Sequence, residues 1–298
     1  LPMWNAAGSL LLCGESIYAA KGGFCVAGAY VVYFEVRKPS GQFFETMQFH
    51  ALAETEERDM TYSIIGILAA IILLITNRDV LWNRDGGEIA PTQQCYRKFL
   101  LGVLCYYITD ALWGVLAAWR LTPVLYADTV VYFAAMAAAV LLWTQYVISY
   151  LEGGTRFEQI LYHTGRGFFA FEIIVILINF FRPILFWLDE TGTYHAGPAR
   201  YLTLAIQILM FLMTSVYTIR VTAKAEGRIR LRHRTIGLFG IVMMVMIASQ
   251  VFYPLLPLYG IGYMLGTSLL HSFVVEDEKE EYRRELEAAV TRERLQKQ

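Results

Sequence analysis

Seven apolar runs, at roughly 61–77, 99–119, 128–149, 167–188, 201–221, 235–253 and 258–275, cut most of this sequence into lengths that suit a lipid bilayer. A helix rises about 1.5 Å per residue, so crossing about 30 Å of hydrocarbon takes about 20 mostly apolar residues. In lipid every backbone amide must be bonded internally, which leaves helices and closed barrels as the spanning forms. The first run is short, but Ile64 to Ile75 is apolar throughout, and Arg78 and Trp82 are placed to anchor its end at the headgroups. Composition agrees. Of 298 residues 56% are hydrophobic and 17% charged, too few polar side chains to clothe a soluble domain of this size. Twenty-five basic against 26 acidic residues leave a net charge of -1, which excludes the basic face of a nucleic-acid binder.

The fold class expected is therefore all-α: an integral membrane bundle of about seven transmembrane helices over residues 60–275, followed by a cytoplasmic helix over 276–298. Basic residues set the orientation. Arg78, Arg84, Arg97 and Lys98 follow the first run, Arg156 and Arg166 the third, and Lys224, Arg228, Arg230, Arg232 and Arg234 the fifth. The alternate links hold only Arg120 and Arg200, and none in the Pro254 to Pro257 turn. Under the positive-inside bias this predicts a multi-pass plasma-membrane protein with its C-terminus in the cytoplasm. Residues 1–59 mix Glu15, Lys21, Glu35, Arg37 and Lys38 among short apolar patches, with no run long enough to span and no ordered signal-peptide pattern. The expectation is that native translation starts at Met60, or at Met47.

Small residues predict close helix packing: Ala134, Ala135, Ala137, Ala138 and Ala139 in the third run, and Gly262 with Gly266 in the seventh. Cys13, Cys25, Cys95 and Cys105 show no metal-ligand spacing and read as reduced, structural residues. No HExxH or GxSxG motif is present, so the sequence holds no catalytic motif, and neither a cofactor nor a metal is expected.

An ionisable group inside a span costs about 2.5–3.5 kcal/mol on insertion scales, so each one calls for a partner or a wet site. Asp110, beside Thr109 and Trp113 in the second run, is the clearest: either a ligand- or proton-sensing carboxyl or an interhelical hydrogen bond. Glu172 and Arg182 stand ten residues apart in the fourth run, too far to pair along one helix. Asp128 stands near the start of the third, within guessing range of Arg120 or Arg200, and Gln207 adds a neutral partner in the fifth. Asp110, Trp113, Asp128, Glu172, Arg182 and Gln207 are thus the candidate sensing residues, each with packing as its plainer alternative. Asp189, Glu190 and His195 in the link after the fourth run read as a solvated turn more readily than as a metal site.

After Val275 the sequence EDEKEEYRRELEAAVTRERLQKQ has no Gly or Pro and consists mostly of strong helix formers. Placing Val275, Tyr282 and Ala289 at one seam position puts Lys279, Leu286 and Glu293 at the other, so a homodimer through this helix is allowed but weakly specified.

The stretches MTYSIIGILAAIILLITNRDVLW, FLLGVLCYYITDALWGVL, YADTVVYFAAM, YHAGPARYLTLAIQILMFL, RHRTIGLFGI and LLHSFVVEDEKEEYRRELE resemble the membrane-embedded input region of bacterial signalling proteins, especially diguanylate cyclases of gut Firmicutes. The resemblance covers residues 60–298, about four fifths of the chain. It implies a sensory module that receives a small-molecule or membrane-borne signal. Val275, Tyr282, Leu286 and Ala289 would pass it along the C-terminal helix to a cytoplasmic output domain in cis, a GGDEF cyclase or, in related sensors, a histidine kinase core. Neither a GGDEF loop nor an HExxxP box occurs within these 298 residues, so no catalytic residue carries over. A small transporter and a non-signalling scaffold are the alternatives.

Overall fold

The computed structural model describes residues 63–82, 91–151, 156–189, 192–223, 227–253 and 256–275, and four short strands between residues 10 and 30. The chain divides into two compact units, Leu1–Thr55 and Glu56–Gln298. The first contains two small antiparallel pairs, β1 (Leu10–Cys13) with β2 (Ser16–Ala19) and β3 (Cys25–Val26) with β4 (Ala29–Tyr30).

The second unit is helical: α1 (Ser63–Thr76), α2 (Arg78–Trp82), α3 (Pro91–Ala118), α4 (Thr122–Leu151), α5 (Arg156–Asn179), α6 (Pro198–Thr222), α7 (Gly227–Phe252) and α8 (Leu258–Leu270). A π-helical turn, His271–Val275, follows α8, and one hairpin, β5 (Phe186–Leu188) with β6 (Tyr194–Ala196), joins α5 to α6. Among the described residues five helices are long and apolar enough to cross a membrane: α3, α4, α5, α6 and the Arg230–Phe252 part of α7.

The other two of the seven expected runs form the shorter helices α1 and α8. α1 rises about 21 Å to Asn77, where α2 takes over, and the 13 residues of α8 rise about 20 Å before the π-helical turn His271–Val275 continues them. Asn77 stands at the junction of α1 and α2, where its N–H donates to the Leu73 carbonyl and its carbonyl accepts from the Leu81 N–H, each at 3.0 Å. Its side-chain amide also donates to the Leu73 carbonyl at 3.2 Å, and its Oδ1 accepts from the Tyr96 hydroxyl at 2.9 Å, which ties the junction to α3. The basic stretches expected as links are partly helix: Arg97 and Lys98 lie on α3, Arg156 and Arg166 on α5, and Arg230, Arg232 and Arg234 on α7. The linker helix expected over 276–298, with Tyr282, Leu286 and Ala289, lies outside the described residues; Val275 closes the π-helical turn.

Two turns show how the sequence sets the topology. α3 ends where Arg120 takes a left-handed φ of 53°, and the Leu121 N–H reaches back to the Leu116 carbonyl at 3.1 Å, a C-terminal closure usually built on glycine. The chain then re-enters as α4, which runs antiparallel along α3. α6 starts at Pro198, a residue suited to a first turn because its missing N–H has no role there.

All the helices of this unit contribute to the core, and side chains of α3, α4, α7 and α8 meet near its centre. Trp143 of α4 lies 3.9 Å, centroid to centroid, from Phe239 of α7 and 5.4 Å from Phe99 of α3, and Tyr263 of α8 stands 6.0 Å from Phe99. The Trp143 indole N–H donates to Thr214 Oγ1 of α6 at 3.3 Å, so the ring's polar edge is satisfied inside the bundle. The small residues pack helices, as their spacing predicts. A side chain at Gly266 would collide with the Phe239 ring, and one at Gly262 would come 3.0 Å from Met243 Sδ, so these glycines form the α7–α8 contact.

Candidate functional site

The β5–β6 hairpin marks one end of the bundle. At this end α3 gives way to α4, α5 and α6 are joined, and α7 turns into α8. Asn179, the last residue of α5, holds the hairpin down. Its Oδ1 accepts from the N–H groups of Leu185 at 2.8 Å and Phe186 at 3.2 Å, and its Nδ2 donates to the Phe186 carbonyl at 3.0 Å. Three backbone groups of an extended segment are thereby satisfied by one side chain. Gly197 lets the return strand approach: any Cβ there would collide with the Ile184 carbonyl. The Phe186 ring is fully buried, stacked 5.7 Å from Phe133 of α4 and 6.0 Å from Tyr194 of β6. The hairpin therefore works as a plug with an aromatic underside.

The polar residues of the spans lie below this plug. Asp110 of α3 is 1% exposed, and Glu172 of α5 and Gln207 of α6 are 0% exposed. Counting turns from the hairpin end places all three about 10–14 Å down their helices, at comparable depth. Asp110 faces the start of α8, where a Cβ on Gly260 would sit 3.8 Å from its Oδ2. The Tyr107 hydroxyl donates to the Gly260 carbonyl at 3.0 Å, and Gln250 Oε1 caps α8 by accepting from the Tyr259 N–H at 2.8 Å. A carboxylate near the first turn of a helix is favoured by the orphan N–H groups there.

Around these groups stands a cluster of tyrosines. Tyr106 packs against Tyr107, Tyr132, Tyr259 and Tyr263, with centroid separations of 5.2–5.8 Å. Asp110 lies within electrostatic reach of Tyr107 and Tyr132, and Glu172 within reach of Tyr259, so the cluster connects α3, α4, α5 and α8. Both carboxyl oxygens of Glu172, and both amide atoms of Gln207, are buried with no hydrogen bond to protein among the described residues. Buried polar atoms of native proteins are bonded in the great majority of cases, which sets Glu172 and Gln207 apart from ordinary core residues.

The remaining candidates separate. The Trp113 ring meets Tyr194 of the hairpin edge-on at 6.1 Å and helps seat the plug. Asp128 is half-buried near the start of α4. Arg182 is exposed and belongs to the turn after α5, since the helix ends at Asn179, so it takes no part in the buried cluster. Sequence reading assigned no role in this cluster to Arg200 or the tyrosines. Arg200 lies 5.6 Å from the Tyr194 ring centroid and within reach of Tyr132, linking the hairpin to the cluster. Burial pushes the Tyr194 phenol up from its ordinary range, against the opposing pull of Arg200. On the outer face of the hairpin His195 Nε2 pairs with Asp189 Oδ2 at 3.2 Å and stacks on Trp187 at 5.3 Å. Among the described residues no cluster of three metal-ligating side chains occurs.

The sequence matches no protein-family model and no curated protein.

Proposed function

We propose that this chain is a membrane sensory input module, in which a signal engages the buried Asp110–Glu172–Gln207 level and is passed through the C-terminal segment to a cytoplasmic output domain. The observation that carries this reading is the burial of Glu172 and Gln207 with their polar atoms unbonded among the described residues, beneath a plug latched by one asparagine. A ligand that satisfies those atoms in one arrangement of α5 and α6 and not in another shifts the balance between the two, which is all that signalling requires. The resemblance to membrane-embedded input regions of bacterial signalling proteins favours a diguanylate cyclase as output, with a histidine kinase core as the alternative. The charge pattern of the links favours a cytoplasmic C-terminus.

Transport is the weaker reading on one observation. α3, α4, α5, α6 and α7 each run unbroken over 24–30 residues, whereas transporter sites are typically built from discontinuous helices. The test uses the full-length gene product in its native cells. Asp110→Asn is expected to shift the cyclic di-GMP level roughly fivefold or more at unchanged membrane abundance, the scale of ordinary allosteric coupling. If Asp110→Asn and Asp110→Ala both leave the output unchanged, the assignment of the signal to this buried level fails. Solute uptake by vesicles carrying the chain would favour transport instead.

A further inference from the structure

At the end of the bundle opposite the hairpin, α6 and α7 enclose an open groove of about 460 Å³ whose lining includes Arg230, Arg234, Thr222 and Ile219. Leu238 and Ile241 continue the same wall along α7. The helices are pinned together below it: Ser215 Oγ donates to the Gly237 carbonyl at 3.1 Å, and a side chain on Gly240 would collide with Ser215 Oγ. Gly237 itself contributes no side chain to the groove, leaving the space beside Ile219 open.

The groove is amphipathic along its length. Arg230 and Arg234 stand four residues apart on one face of α7 and both are exposed. Their like charges repel at that spacing. Among the described residues no acidic side chain lines the groove and neither arginine forms an ion pair. Arg220, exposed in the last turn of α6, adds a third positive charge nearby in the fold. Beyond the arginines the surface turns apolar: Ile219, Leu238 and Ile241 are 57%, 46% and 37% exposed. The sequence Arg230, Arg234, Leu238 along one face thus passes from charge to hydrocarbon at the point where the candidate span Arg230–Phe252 begins.

We infer that this groove is a binding site for an anionic phospholipid, its phosphate held by Arg230 and Arg234 and an acyl chain laid along Leu238, Ile241 and Ile219. Guanidinium groups match phosphate oxygens in a two-pronged geometry, and basic pockets between membrane helices are established headgroup sites. The occupant is a lipid rather than a free anion because the apolar half of the groove is continuous with the charged half. The inference depends on the chain lying in a bilayer and on nothing about the buried polar level.

The test takes the full chain purified in mild detergent and measures retention of phosphatidylglycerol against phosphatidylcholine of identical acyl chains by native mass spectrometry. Phosphatidylglycerol is expected to be retained preferentially, and R230Q/R234Q to weaken its apparent affinity about tenfold or more. Each single substitution, R230Q or R234Q, is expected to weaken it about threefold, which keeps the test decisive should the double variant lose its fold. R166Q removes an exposed arginine of α5 that stacks on Tyr162 and does not line the groove, and is expected to leave retention unchanged. The inference is overturned if phosphatidylcholine is retained equally, if R166Q lowers retention as far as R230Q/R234Q does, or if inorganic phosphate displaces the lipid as well as a short-chain phosphatidylglycerol does.

Discussion

Replacing Glu172 by methionine is expected to stabilise the protein while removing its response. The carboxyl is 0% exposed and neither oxygen has a hydrogen bond among the described residues, so folding buries it without the usual compensation. Mutational data put the cost of an uncompensated buried polar group at about 1–3 kcal/mol. Methionine keeps a similar unbranched shape, fills the site with apolar atoms and escapes that cost. For a chain of this size 1 kcal/mol corresponds to about 2–4 °C in the unfolding midpoint, so Glu172→Met is expected to raise the midpoint by about 2–12 °C. The assay is thermal unfolding of the purified full chain in detergent, followed by tryptophan fluorescence, with Glu172→Gln measured beside it as the near-isosteric control. Glutamine still buries a polar head, so its gain is expected to be the smaller of the two. A fall of about 1 kcal/mol or more in Glu172→Met would refute the reasoning, because it would mean that the carboxyl anchors the resting bundle. A functional group held at a cost to stability behaves in the opposite way.

The hairpin latch is open to a direct check: Asn179→Ala strands three backbone groups of Leu185 and Phe186 and is expected to cost about 2–4 kcal/mol, with faster hydrogen exchange confined to residues 184–196. Unchanged exchange there would show that the aromatic underside alone seats the plug. Gly266→Ala sets a methyl group against the Phe239 ring and is expected to cost about 1–3 kcal/mol in a melting experiment, whereas Gly167→Ala, where nothing lies within 4 Å, is expected to be neutral or slightly stabilising. Equal effects at the two positions would contradict the α7–α8 contact.

Much of this arrangement was legible in the residues, and the misreadings have physical causes. Asp110, Glu172 and Gln207 stood out because a polar side chain in an apolar run is conspicuous, and all three are buried. Arg182 was misplaced because the stretch Ile173 to Leu188 is nearly all apolar, and a buried strand and a helix give the same signal at that length. The features that decide are Asn179, whose side chain bonds the backbone beyond the helix, and Pro183, which cannot continue it. Hydropathy does not show that α1 gives way to α2 at Asn77, or that α8 starts only after Pro257. Tyr106, Tyr107, Tyr132, Tyr259 and Tyr263 passed unnoticed because aromatic rings inside apolar runs read as ordinary packing. Only their convergence from three helices makes them a lining.

Coupling of the buried polar level to the chain beyond Val275 can be read directly. With the four cysteines replaced by serine and Leu286→Cys introduced, labelling by a membrane-impermeant maleimide in inverted vesicles and in intact cells reads both side and coupling. Labelling is expected in inverted vesicles only, at a rate that Asp110→Asn and Glu172→Gln each change by about twofold or more. Labelling from outside intact cells, or a rate indifferent to both substitutions, would contradict the proposed function.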